Sequence, residues 1–334
     1  MNMKKWFADL IGNKKVGSMP ILSFPCAQLL GVSVNELVKS SDLQAKGMKA
    51  IADRCNTLAS VSMMDLSVEA EAFGSTVRFS DDEVPTIVGS IVKSYDDAEN
   101  LEVPDAKSAR CGEYIQAIAK AKELITNRPV FAGVIGPFSL AGRLMDVSEA
   151  MINCYEDPEM VEATLDKVTE FLINYIGEYK KAGANGVVMA EPLAGMLSPS
   201  LTDEFSSPYV KKIVDAVQDD EFIVVYHNCG DNIAIMTDSI LSTGAGAYHF
   251  GNAVKLKDML DKFPTDVAVM GNVDPASQIR NGSPESVEKA TLEIMTECDS
   301  YPNFVISSGC DIPPDSPWEN IDAFFNAVAK FYNK

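Results

Sequence analysis

Residues 157–191, DPEMVEATLDKVTEFLINYIGEYKKAGANGVVMAE, carry the pattern that decides the fold. Asp157 followed by Pro158 is an N-cap and a first-turn proline. Apolar residues then recur at helical spacing as far as Ala182, and Gly183 closes the helix. The run Gly186-Val187-Val188-Met189-Ala190 follows without alternation, as a strand covered on both faces requires. The same unit recurs on either side of this segment. Short apolar runs fall at residues 18–23, 59–65, 129–135, 186–190, 222–226, 247–250, 267–271 and 304–307. Helical stretches are expected at 43–63 (capped by Ser41 and Asp42), 158–182, 202–217, 232–241, 256–262, 284–296 and 317–331. This alternation predicts a (βα)8 TIM barrel forming one domain over residues 1–334. An elaborated connection after the second strand, residues 66–128, is expected to hold a short hairpin at 73–79 and a solvated acidic run, Asp81-Asp82-Glu83. A doubly wound open sheet is the runner-up, but no glycine-rich phosphate turn follows the first strand.

The rest of the sequence bounds the function. The chain has 334 residues, 46% of them hydrophobic and 23% charged, which excludes collagenous and coiled-coil classes. With 48 acidic and 28 basic residues the formal net charge is −20. Such a charge repels phosphate backbones and anionic membranes, so neither nucleic acid nor a membrane is an expected partner. No apolar stretch reaches the roughly 20 residues that span a bilayer. Residues 1–16 lack an apolar signal core, so a cytoplasmic location is expected. The seven cysteines are scattered and odd in number, which argues against a disulfide framework.

The chemistry concentrates at strand ends. His227-Asn228-Cys229 follows the run 222–226, and Cys310 follows the last strand, 304–307. In a barrel both positions lie at the carboxyl mouth, where catalytic groups gather. Residues i and i+2 of an extended chain share a face, so His227 and Cys229 aim together. An imidazole and two thiols favour zinc over magnesium or calcium, and three ligands leave the open position of a catalytic site. Glu191, ending the strand 186–190, is the expected fourth ligand, one that a substrate thiolate displaces. Cys26, Cys55, Cys111, Cys154 and Cys298 are expected to serve packing, and His249 to be a satisfied core histidine.

Around these residues the chain resembles the uroporphyrinogen decarboxylase superfamily, and within it the zinc-dependent methylcobamide:thiol methyltransferases. The resemblance runs through Met64-Asp65-Leu66 with Glu71-Ala72-Phe73-Gly74, Gly133-Val134-Ile135-Gly136-Pro137-Phe138-Ser139-Leu140, Gly271-Asn272-Val273-Asp274-Pro275 and residues 309–317. The decarboxylases open their barrel with an arginine-rich segment that binds the porphyrinogen carboxylates. Here Ser23-Phe24-Pro25-Cys26-Ala27-Gln28-Leu29 holds no arginine, and Arg–carboxylate pairing is hard to replace. The decarboxylases also carry a histidine where this chain has Cys310. The resemblance therefore implies zinc on His227, Cys229 and Cys310, with Glu191 as a further ligand. It also implies catalytic parts for Asp65, which matches the decarboxylases' aspartate, for Glu191 and for Asn272. The implied reaction moves a methyl group between a corrinoid, brought by a methylated corrinoid protein, and a small thiol. Three alternatives remain open: a uroporphyrinogen decarboxylase, a non-catalytic zinc or corrinoid-partner protein, and a relation to the cobalamin-independent methionine synthases.

Overall fold

The computed structural model describes residues 1–12 and 17–333. Residues 13–16, part of the N-terminal segment read for a signal, and Lys334 lie outside the described residues. Among the described residues, strands β1 (Ser60–Val61), β2 (Thr76–Arg78), β3 (Thr86–Val88), β4 (Val130–Ile135), β5 (Gly186–Ala190), β6 (Ile223–Asn228), β7 (Ala247–Phe250), β8 (Ala268–Val273) and β9 (Phe304–Ser308) form two sheets. The larger is parallel, seven-stranded and ordered β1-β4-β5-β6-β7-β8-β9.

The expected strand at 18–23 departs from expectation: it is reduced to an isolated bridge. Ser18 pairs in parallel with Thr57, just before β1, and with Ile306 of β9, so one residue ties the two ends of the curled sheet. Pro20 stops the ladder because it has no N–H to donate. The next donor, Ile21 N–H, goes to the Ser308 hydroxyl at 3.1 Å instead of a backbone carbonyl.

Helices cover the outer face. Pro158–Lys181 begins as its sequence indicates, with the Asp157 carboxylate accepting from Met160 N–H, and it ends before Gly183, whose φ is +94°. The helix expected over 43–63 is Ser41–Arg54, capped by the Ser40 hydroxyl, and the chain then turns into β1. The stretch 202–217 is two helices, Pro199–Phe205 and Ser207–Val217, broken at Ser206 because Pro208 cannot continue the hydrogen-bond ladder. The connection between β1 and β4 holds the antiparallel β2–β3 hairpin, with Asp81, Asp82 and Glu83 exposed in its turn, and the helix Cys111–Leu124.

The two sheet faces bury different cores. Alternate residues Phe131, Val188, Ile223, Val225, Ala247, Ala268, Met270 and Val305 fill the concave face. Phe7 and Leu10 of the helix Met3–Gly12 join them at the strands' amino end, where Met3 N–H donates to Asp220 O at 2.7 Å. Val187, Met189, Val224, Tyr226, Tyr248 and Val269 pack outward against the helices. Among the described residues no disulfide forms, and no helix is long and apolar enough to cross a membrane.

Candidate metal centre

His227 is the inward residue that follows Ile223 and Val225 along β6, and it is buried. Asn228 points the other way. Its Oδ1 accepts from Gly230 N–H at 2.9 Å and its Nδ2 donates to the Tyr226 hydroxyl at 3.0 Å, which turns the chain and leaves Cys229 beside His227. Gly251, after β7, lets that turn come close: a Cβ there would stand 2.5 Å from both Cα and Cβ of Cys229. Cys310 arrives from β9 through Gly309, whose N–H donates to Val273 O.

The side chains converge. One ligand atom each from His227, Cys229 and Cys310 lies within 4.8 Å of the others. His227 Nε2 and Cys310 Sγ are 3.5 Å apart. Nitrogen and sulfur bound to one tetrahedral zinc at about 2.0 and 2.3 Å would be separated by about 3.5 Å. The donor set and its spacing therefore fit zinc. The closeness of the two thiols sets them apart: it holds the Cys229 thiol below its ordinary value and, with burial, pushes Cys310 up to about 12. Both are half-buried, whereas Cys26, Cys55, Cys111, Cys154 and Cys298 are fully buried, as packing cysteines should be.

Glu191 is not brought into the trio. It falls one residue past Ala190, which belongs to the concave face with Val188, so it follows the outward parity of Val187 and Met189. Its Oε1 accepts from Phe138 N–H at 2.8 Å and from the Ser206 hydroxyl at 3.2 Å, and its Oε2 from Ser139 N–H at 2.9 Å. The carboxylate caps the helix Pro137–Met145, and burial raises its pKa. A Cβ on Gly136 would lie 2.5 Å from Oε2, so this contact needs glycine.

Asp65 is also committed elsewhere. Oδ1 accepts from Ser67 N–H at 3.0 Å and Ser67 Oγ at 2.6 Å, while Oδ2 accepts from Arg110 Nη1 at 2.5 Å and Tyr114 OH at 2.9 Å. Asn272, near the carboxyl end of β8, donates through Nδ2 to Gly251 O and Val254 O at 2.9 and 2.8 Å.

His249 is where sequence reasoning fell short. It is buried and satisfied, as expected, but its partner is the candidate ligand. His227 and His249 are register neighbours on β6 and β7, with Nδ1 atoms 2.8 Å apart and ring planes at 74°. His249 Nε2 lies 2.7 Å from Ser307 Oγ, and burial holds the ring well below the usual imidazole range. Aligning the two apolar runs by their last residues, Tyr226 with Phe250, misses the observed register by two and sets Val225 opposite His249.

Comparison with known proteins separates family from branch. The methylcobamide:CoM methyltransferase MtbA of Methanosarcina acetivorans is 27% identical over 275 residues, 80% of this chain and 78% of that protein. The uroporphyrinogen decarboxylase of Alcanivorax borkumensis is 25% identical over 314 residues, 90% of this chain and 87% of its own. Identity so even does not choose between them. The solved structure of a methyltransferase from Methanosarcina mazei superposes with a TM-score of 0.85 at 22% identity, covering 99% of both chains, and shares the fold. With residues 14–331 matched by the uroporphyrinogen decarboxylase (URO-D) family, the chain belongs to that family.

Proposed function

We propose that this chain is a zinc-dependent methyltransferase that moves a methyl group between a corrinoid carried on a partner protein and a small thiol. The convergence of His227, Cys229 and Cys310 within 4.8 Å carries the reading. Bound by these three residues, zinc would supply the Lewis acidity that favours the thiolate form of a substrate thiol near neutral pH, where a free thiol, with a pKa of roughly 8.5, is mostly protonated. The thiolate sulfur forms a bond to the methyl carbon, the cobalt–carbon bond breaks, and the electron pair stays with cobalt. The reverse direction uses the same contacts.

The chain's residues divide the work. In this reading His227, Cys229 and Cys310 would hold the metal. Glu191 and Asp65 shape the mouth in this reading: one caps the helix Pro137–Met145, and the other anchors Arg110. Asn272 fixes the loop after β7 through its two carbonyl contacts. The fold reading that goes with this is a (βα)8 barrel in one domain, its first strand shortened to the Ser18 bridge. The decarboxylase alternative loses support because Asp65 spends both oxygens inside the chain and residues 23–29 carry no arginine.

Metal analysis of the purified wild-type protein beside Cys310→Ala tests the first step. Stoichiometric zinc in wild type and its loss in the variant are expected. Wild type without zinc would end the reading. Thiol-dependent demethylation of methylcobalamin, followed by its visible spectrum, tests the second.

A further inference from the structure

The chain contains two histidines, and they face each other across β6 and β7. The hydrogen bonds around them have one consistent direction. The Met19 carbonyl can only accept, and Ser307 Oγ stands 2.8 Å from it. Turning the single hydroxyl proton away would set two oxygens against each other with nothing between, so Ser307 donates to Met19 O. A lone pair of Ser307 then faces His249 Nε2 at 2.7 Å, and that nitrogen must carry a proton. His249 is buried with no carboxylate among its hydrogen-bond partners, so it is neutral, and its Nδ1 is bare. His227 Nδ1, 2.8 Å away, supplies the proton for that contact. A second acceptor requires the same placement: the His249 carbonyl lies 3.3 Å from His227 Nδ1. With its one ring proton on Nδ1, a neutral His227 leaves Nε2 bare, 3.5 Å from Cys310 Sγ.

We infer that Met19 O, Ser307 and His249 form a one-way hydrogen-bond chain that holds His227 in the Nδ1–H tautomer, so its Nε2 lone pair is ready for a cation before any cation arrives. His249 and Ser307 are positioning residues, acting on the metal through His227. A ligating histidine gains basicity and a fixed ring plane from such a partner. The inference rests on the metal reading above only for its purpose; the proton order stands on the geometry.

Selective 15N labelling of histidine gives four ring nitrogens, few enough to assign with Ser307→Ala. In metal-free wild type the expected pattern is His227 with Nδ1–H and bare Nε2, and His249 with Nε2–H and bare Nδ1. Ser307→Ala removes the acceptor: both rings are expected to become tautomer mixtures, and zinc affinity, read by chelator competition, to fall about 10–100-fold. Ser307→Thr, which keeps the hydroxyl, is expected to restore both. His227 carrying its proton on Nε2 in wild type overturns the inference, as does Ser307→Ala with an unchanged ring pattern. If Ser307→Ala does not fold, the wild-type ring pattern decides. Wild type with the expected pattern and no zinc supports the proton order while the metal reading fails.

Discussion

Asp65→Asn separates a structural aspartate from a catalytic one. The Asp65 side chain is wholly buried and that of Arg110 is 8% exposed, so water screens their ion pair little. Arg110 also donates through Nε to Glu71 at 2.6 Å and through Nη2 to Ser67 Oγ at 2.8 Å, so one guanidinium joins two carboxylates and a hydroxyl. An asparagine keeps the shape but loses the charge, and its NH2 meets donors where the carboxylate accepted four hydrogen bonds. Removing one partner of a buried pair costs roughly 3–5 kcal/mol. An unfolding entropy of about 2.1 cal/mol/K per residue amounts to about 0.7 kcal/mol/K for 334 residues. The melting temperature should then fall by about 4–7 °C, with zinc content unchanged. Scanning calorimetry of wild type and Asp65→Asn measures the fall. Adding Arg110→Met to Asp65→Asn should recover part of it, since the uncompensated charge goes too. Asp65→Asn with a wild-type melting temperature and abolished turnover would refute this reasoning and put Asp65 against the reacting groups.

Three further outcomes are expected. Glu191→Gln should lower stability by roughly 1–3 kcal/mol in denaturant titration, because an amide NH2 faces the donors Phe138 N–H and Ser139 N–H, and should keep its zinc; zinc loss at unchanged stability would make Glu191 a ligand. Gly251→Ala pushes a Cβ against Cys229 and should weaken zinc binding roughly tenfold or more while the circular dichroism spectrum stays the same. Glu69 is fully buried with Oε2 unpartnered, and desolvation raises its pKa from 4.5 to about 7. Its folded-state value lies above the unfolded one, so its contribution is intact below pH 4.5 and is lost as pH rises to about 7. At roughly 1.4 kcal/mol per pH unit the loss is about 3 kcal/mol. Glu69→Gln should flatten that part of the stability–pH curve in equilibrium unfolding, and a curve unchanged by the substitution would show that Glu69 does not titrate there.

The strands were legible because parallel strands covered on both faces read as short unbroken apolar runs, as β4, β5 and β6 do. The run at 18–23 has the same hydropathy but fails to form a ladder because Pro20 withholds a donor, a detail that hydropathy does not weigh. The helix expected over 43–63 overran because Leu58, Ala59 and Met63 keep the sequence apolar past Cys55, where the backbone is already extended. In the site, the trio was legible from residue chemistry at strand ends. Glu191 was placed with it because it too ends a strand at the barrel mouth, although it falls out of phase with Val188 and Ala190 and its side chain turns to the other face. The His227–His249 contact depends on register between two strands, which neither strand's own sequence specifies.

Ser18 has a consequence for solubility. Among the described residues, β9 and the chain before β1 each have a side that only the neighbourhood of Ser18 covers, through Met19 N–H to Ile306 O at 3.0 Å and Leu58 N–H to Ser18 O at 2.9 Å. Detach that short strip and two rows of unpaired amides and carbonyls come free, each a template for a foreign strand. A protein shortened past Ser18 would keep its metal-binding residues and most of its core, yet should polymerise edge to edge.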